Sequence, residues 1–179
     1  MGINDLISPE LKVLNVTVPK AESAVTLNTY LRKNGLNYYK QLCFKNIKSY
    51  LHTYNCKSIL FPEVYVFNKS GYKLELNQGS IAAQNDAFDF MVGINNSKVN
   101  KSDNLYDYNE HLIGLNLSSL EGYDFVSIIT WAIYAGDINK RFAFKAIEFI
   151  EKLRERGFKI DIYLLNLDLQ VDWDYSIFN

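Results

Sequence analysis

The sequence predicts an α/β (or α+β) fold: one domain over residues 1–179, a mixed sheet with helices packed on it, closed by a C-terminal β-α-β crossover. Three observations predict it. Phe125–Tyr134 (FVSIITWAIY) is an apolar run of β-branched and aromatic residues, as expected of a strand buried on both faces. Lys140–Arg156 follows with a helical stripe of Ala143, Ala146, Ile147, Ile150 and Leu153, ending at Gly157. Ile160–Leu165 (IDIYLL) is a second strand. Strand, helix of this length, strand is the order of a right-handed parallel crossover.

The rest of the chain is read in order. Leu11–Val18 alternates apolar and polar residues before Pro19, the pattern of a strand. Ala21–Lys33 places Ala24, Leu27, Tyr30 and Leu31 at helical spacing, with Gly35 beyond its end. Asn37–Tyr54 carries a stripe of Tyr38, Leu42, Cys43, Ile47, Tyr50, Leu51 and Tyr54 and predicts a second helix. Ser58–Phe67 and Tyr72–Leu76 flank Asn68-Lys69-Ser70-Gly71, a hairpin, with Pro62 at a bulge, an edge or the strand's start. Ser80–Met91 predicts a helix capped by Ser80 and stopped by Gly93. Ile94–Asn104 is polar and predicts an exposed loop, and Leu112–Leu117 a short strand. Glu148 and Lys152 face solvent at a spacing that pairs them along the crossover helix.

Charge bounds the partners. A net charge of -1 does not mark a nucleic-acid binder. Its distribution is uneven: Lys20–Lys57 holds seven bases against Glu22, whereas Ile160–Asn179 holds Asp161, Asp168, Asp172 and Asp174 with no base. Two such segments are expected to face each other, within one chain or between copies, or the asymmetry marks an anionic partner. Cys43 and Cys56 are the only cysteines, and with no signal-peptide pattern at Met1–Glu10 a reduced, cytoplasmic setting is expected. No segment offers the roughly 18–20 apolar residues that cross a bilayer, so no membrane role is expected.

Motifs for chemistry are scarce. No G-x-S-x-G, G-x-x-x-x-G-K-[ST] or G-x-G-x-x-G occurs, so neither a nucleophile elbow nor a glycine-rich phosphate loop is expected, and no cofactor is implied. His52, four residues before Cys56, and His111, after Glu110, do not form a recognisable zinc spacing with the two cysteines. The plain reading is surface or half-buried histidines, with a composite site assembled by the fold as the alternative. Asp86 and Asp89 share a helix face, and Asp168, Asp172 and Asp174 cluster near a strand end; solvated faces are the default for both. At the crossover mouth, where an open α/β sheet places a ligand, the sequence offers Asp124, Thr130, Gly136, Asp137, Asn139 and Arg141. Helix capping is the simpler task for Asp137 and Asn139.

Tyr123–Leu165, quoted as FVSIITWAIYAGD and RFAFKAIEFIEKLRERGFKIDIYLL, resembles an uncharacterised group of phage-encoded α/β proteins, over about a quarter of the chain. The shared features are an apolar strand, a helix closed by L-x-x-x-G, and a strand of basic–apolar–acidic–apolar form. The rhythm is also that of von Willebrand A-like domains, but their D-x-S-x-S metal motif is missing. Abundant Asn, Lys, Ile and Tyr, whose codons are AT-rich, fit a low-GC bacterium, its mobile elements or its phages. The resemblance implies no active site.

Three functional expectations follow. The first is a non-enzymatic interaction or assembly protein of a phage or mobile element, cytoplasmic or within the virion, acting by protein partnership or self-association. Residues 168–179 would be its docking tail, through Trp173, Tyr175 and Phe178. The second is a small nucleic-acid-binding or host-modulating protein, using Lys40, Lys45 and Lys48 on the helix at 37–54. The third is a small enzyme with its site at the 124–141 crossover mouth.

Overall fold

Along the central strands the side chains alternate between two buried faces, and this alternation divides the core. The computed structural model describes residues 13–56, 59–75, 94 and 97–178. In order, the strands are β1 (Ala21–Glu22), β2 (Lys40–Phe44), β3 (Val64–Asn68), β4 (Tyr72–Glu75), β5 (Lys98–Asn104), β6 (Leu112–Ile113), β7 (Phe125–Trp131), β8 (Ile160–Asn166) and β9 (Leu169–Gln170). The helices are α1 (Ala24–Lys33), α2 (Ile47–Asn55), α3 (Leu105–His111) and α4 (Lys145–Glu155). Seven strands form one mixed sheet in the order β5-β4-β3-β7-β8-β2-β6. Strands β7, β8 and β2 run parallel at its centre, and antiparallel strands complete both sides. A separate parallel pair joins β1 to β9. The whole is a single α/β domain, as the sequence predicts.

One face of the sheet presents Val64, Val66, Ile129, Trp131, Ile160, Ile162 and Leu164 to α1 and α4. The other presents Tyr65, Phe67, Val126, Ile128, Tyr163 and Leu165 to α2 and α3. Both faces of β8 are covered, and all seven of its residues are buried. The crossover forms as predicted: β7 pairs in parallel with β8 from Phe125↔Ile160 to Trp131↔Asn166. Its connecting helix opens with a π turn at Lys140–Phe144 before α4, and Gly157 stops it at φ +96°. The hairpin of β3 and β4 also forms, with Asn68 Oδ1 accepting from the amides of Ser70 and Tyr72. Pro62 stands just before the start of β3.

Several expectations are corrected. The helix predicted for 37–54 is two elements, because Lys40–Phe44 pairs in parallel with β8 through Gln41↔Leu164 and Leu42↔Leu165. Helix α2 begins only after Asn46, whose side chain accepts from the Ser49 amide. The polar stretch predicted as a loop contains β5, an edge strand paired with β4 and closed by the Lys73–Asp103 ion pair at 2.8 Å. Residues 13–18 form no strand; Leu14 and Thr17 hydrogen-bond instead to the connection after β7. The helix over 21–33 is shortened to α1, which Ser23 caps by accepting from the Thr26 amide. The strand at 112–117 is reduced to β6. The helix predicted for 80–91, with Asp86 and Asp89, lies outside the described residues.

Candidate functional site

Helix α2 stands between two concavities, and the helical period decides which residues face each. At 100° per residue, Tyr50 and Tyr54 share one flank, while His52 and Cys56 share the opposite one. The polar flank lines a cleft of about 520 Å³, completed by Asp107, Tyr108 and His111 of α3 and by Lys73, Asn100, Ser102 and Asp103 of β4 and β5. Asn104 builds the second wall: its side chain accepts from the amides of Tyr106 and Asp107 and so starts α3. His111 is the last residue of that helix, and its ring lies tilted against that of His52, with centroids 4.7 Å apart and planes 32° apart. Cys56 Sγ lies 3.9 Å from His52 Nε2.

Charges in the cleft are largely matched. Lys73 pairs with Asp103 and also sits 4.7 Å above the centroid of the Tyr65 ring. Asp107 accepts from Asn104 Nδ2 at 2.7 Å. Burial pushes the Tyr108 phenol well above its ordinary range, and the Asp103 carboxylate adds to the effect. Tyr108 therefore stays protonated at any physiological pH. Among the described residues, no group of three or more His, Cys, Asp or Glu side chains could hold a metal ion.

The apolar flank of α2 lines a hollow of about 310 Å³ with Phe44, Ile59, Leu60, Phe61, Tyr134 and Leu167. No lining residue is charged. Phe44 ends β2, Leu167 follows β8 and Tyr134 follows β7, so the hollow sits at the carboxyl ends of the parallel strands, where open α/β sheets take ligands. Its rim is exposed, Tyr54 by 66% and Leu60 by 53%. Trp173 supports the back of this wall, its ring 5.7 Å from Tyr50.

The crossover mouth itself is occupied by the chain. Asn139 is fully buried; its Nδ2 donates to the carbonyls of Ala132 and Gly136 and to Tyr30 Oη, and its Oδ1 accepts from the Ala132 amide. It ties the turn to β7 and makes no capping bond. Asp137 binds Asn15 Nδ2 and Lys140 Nζ, and these hold its carboxyl below the usual range. A raised carboxylate in a deep pocket would have marked a catalytic acid, and Asp137 is neither. Asp124 accepts from the Lys159 amide. Gly136, at φ +55°, lies so close to the Asn15 carbonyl that a Cβ would clash, so residues 14–15 lie directly over the mouth.

The residues singled out in the sequence are dispersed. Lys40 lies on β2 and binds Asp161 at 2.6 Å, Lys45 donates to the carbonyls of Asn109 and Glu110, and Lys48 lies on α2 near Asp174. They do not share one helix face, because β2 interrupts the helix that would have aligned them. The basic and acidic segments do meet within the chain, through Lys40–Asp161 directly and Lys48 with Asp174 at longer range. In the tail, Trp173 is buried and Tyr175 Oη donates to the Gln170 carbonyl, while Ile177 and Phe178 are exposed. Asp168 is also internal: its Oδ2 accepts from the Ile133 amide and Asn166 Nδ2, and burial raises its carboxyl. Sequence spacing could have found neighbours within one helix, such as His52 with Cys56 or Asp107 with His111; the two helices and the strands of the cleft come together only through the fold.

Compared with known proteins, the chain matches no family model, no curated protein and no solved structure. Among the described residues, no helix is long and apolar enough to cross a membrane.

Proposed function

We propose that the protein acts through protein–protein contacts, as a self-associating or assembly component and not as a catalyst. The carrying observation is the uncharged aromatic hollow with Tyr54 and Leu60 exposed on its rim. Exposed apolar surface beside a concavity is costly in water unless something covers it. A second copy of the chain supplies the cover, because the same molecule presents Ile177 and Phe178, exposed by 42% and 62%. A projection and a concavity on one chain permit a reciprocal, two-fold contact in which each copy fills the other's hollow. Such a part suits a phage or mobile-element assembly, the setting the sequence resemblance implies.

Light scattering tests the proposal. The full chain should show a mass above the 20.7 kDa of one copy. Tyr54→Ser with Leu60→Ser, and separately Phe178→Ser, should return it to one copy. A single-chain mass at every concentration, or an oligomer that ignores both variants, would refute it. Truncation after Leu167 is the wrong probe, since it removes Asp168, β9 and Trp173 from the folded interior.

A further inference from the structure

The aromatic hollow beside α2 gathers its rings from parts of the chain far apart in sequence. Tyr50 and Tyr54 are one helical turn apart, Phe44 ends β2, Phe61 precedes β3 and Tyr134 follows β7. The rings do not share a plane. Phe44 meets Tyr50 edge-on at 89°, Phe61 is tilted by 56° to Tyr134, and Tyr50 and Tyr54 lie 11° from parallel. Rings at such angles wall a space and do not tile a flat surface. The face of each ring carries the negative side of its quadrupole, so a wall of rings favours positive charge.

A carboxylate stands behind the same wall. Asp168 follows Leu167, which lines the hollow, and is itself buried. Its oxygens accept from the Ile133 and Tyr134 amides and from Asn166 Nδ2, all neutral donors, and among the described residues no base pairs with it. Burial pushes the Tyr50 and Tyr134 phenols above their ordinary range, and neighbouring phenols and the Asp168 carboxylate add to the effect. Those two phenols therefore stay uncharged and feel the carboxylate. A buried anion without a cation is costly, and a positive group in the hollow offsets part of that cost.

We propose that the hollow binds a small organic cation of the quaternary ammonium class, with a choline-like trimethylammonium group seated among the rings. The class follows from the lining. No lining residue is an acid, so a primary ammonium, strongly hydrated and with three N–H groups to satisfy, loses more on entry than it gains. A trimethylammonium has no N–H to satisfy, and its methyl groups pack against ring faces. The volume of about 310 Å³ is that of a small-molecule site, and it lies at the carboxyl ends of the parallel strands. A bound cation and the Phe178 of a second copy need the same space, so the ligand opposes self-association. That competition rests on the reciprocal contact proposed above, whereas the binding itself does not.

Choline is the probe, and its control is the neutral alcohol dimethylbutanol, in which carbon replaces the charged nitrogen. Both are titrated by calorimetry into the full chain and into Phe178→Ser, where no neighbouring ring competes. Choline should bind Phe178→Ser at least about tenfold more tightly than the alcohol, the ratio a desolvated cation–π contact supplies. Tyr54→Leu and Tyr134→Leu keep apolar bulk and remove a ring; each should weaken choline by about threefold or more and leave the alcohol within about twofold. Asp168→Asn should likewise weaken choline and spare the alcohol, a split that a merely structural loss does not produce. Choline bound by Phe178→Ser supports the site whether or not the full chain self-associates, which the scattering mass reads separately. The proposal is overturned if choline does not bind, if the alcohol binds equally well, or if the preference for charge survives both tyrosine variants.

Discussion

The two faces of the sheet are built from different materials. The face under α1 and α4 is largely aliphatic, with Ile129, Ile147, Ile150, Leu153, Ile162 and Leu164 interdigitating around Trp131. The face under α2 and α3 is richer in tyrosine and other large rings, among them Tyr65, Phe67, Tyr108, Tyr163 and Trp173. Branched aliphatic side chains close-pack without regard to direction, whereas a buried tyrosine must also deliver its hydroxyl to a partner. Rings held that way meet at angles and leave concave surface between them. Both the polar cleft and the aromatic hollow open on this second face, flanking α2. One face supplies stability, and the other supplies surface with chemistry on it.

The sharpest way to break that contrast is to truncate one residue on each side. Ile150→Ala on the aliphatic face should cost about 2–5 kcal/mol, as for other fully buried large-to-small changes. Tyr54→Ser on the rim of the hollow should stay within about 0.5 kcal/mol. Urea denaturation of both variants measures the difference, and equal losses would mean the two faces are not distinct.

Next in size is the polar tie that joins the layers. Asn139→Ala strands the Ala132 amide and carbonyl, both bound to that side chain, and should cost about 1–3 kcal/mol in the same experiment. A loss no larger than that of an exposed substitution would show that the turn finds other partners.

A smaller effect concerns pH. Burial raises the Asp168 carboxyl above its ordinary 3.8, so the folded chain takes up this proton before the unfolded chain does. That contribution favours the fold at low pH and is lost as pH rises from 3.8 through the folded value. Asp137 works the other way: hydrogen bonds from Asn15 and Lys140 lower it, and its support fades as pH falls. Asp168→Asn should therefore gain stability relative to the parent chain as pH is raised through the window above 3.8. A difference that does not change with pH would remove Asp168 as its source.

The smallest effect should be a gain. Ser127 is buried on the aliphatic face and its hydroxyl has no hydrogen-bond partner among the described residues. Ser127→Ala should leave stability unchanged or raise it by up to about 1 kcal/mol, whereas a loss of that size would reveal a partner for the hydroxyl.

The same contrast explains what was legible in the sequence. The crossover was legible because β7, α4 and β8 are consecutive and each carries its own period. The hairpin was legible from its turn residues. Strand β2 was misread because Leu42 and Phe44, two apart on one face of the sheet, sit within a run that also satisfies a helical stripe. The helix start at Asn46 was the available signal against that reading. Strand β5 (KVNKSDN) has no apolar pattern; its pairing with β4 is a tertiary fact. The cleft was hidden for a related reason, since its walls come from residues 52–59, 73 and 100–112, three stretches that only the fold brings together.

The parallel pairing of β2 with β8 also sets a timetable for synthesis. Lys40 and Asp161, which bind across that pair, are 121 positions apart. As the chain leaves the ribosome, β2 emerges well before β8 and waits with an unpaired edge until that strand has been made. Contacts this distant in sequence make folding slow, and an open edge invites pairing with the wrong chain. A charge near the start of a strand is one of the devices that discourage such pairing, and in the folded chain the charge of Lys40 is matched by Asp161 across the same pair of strands.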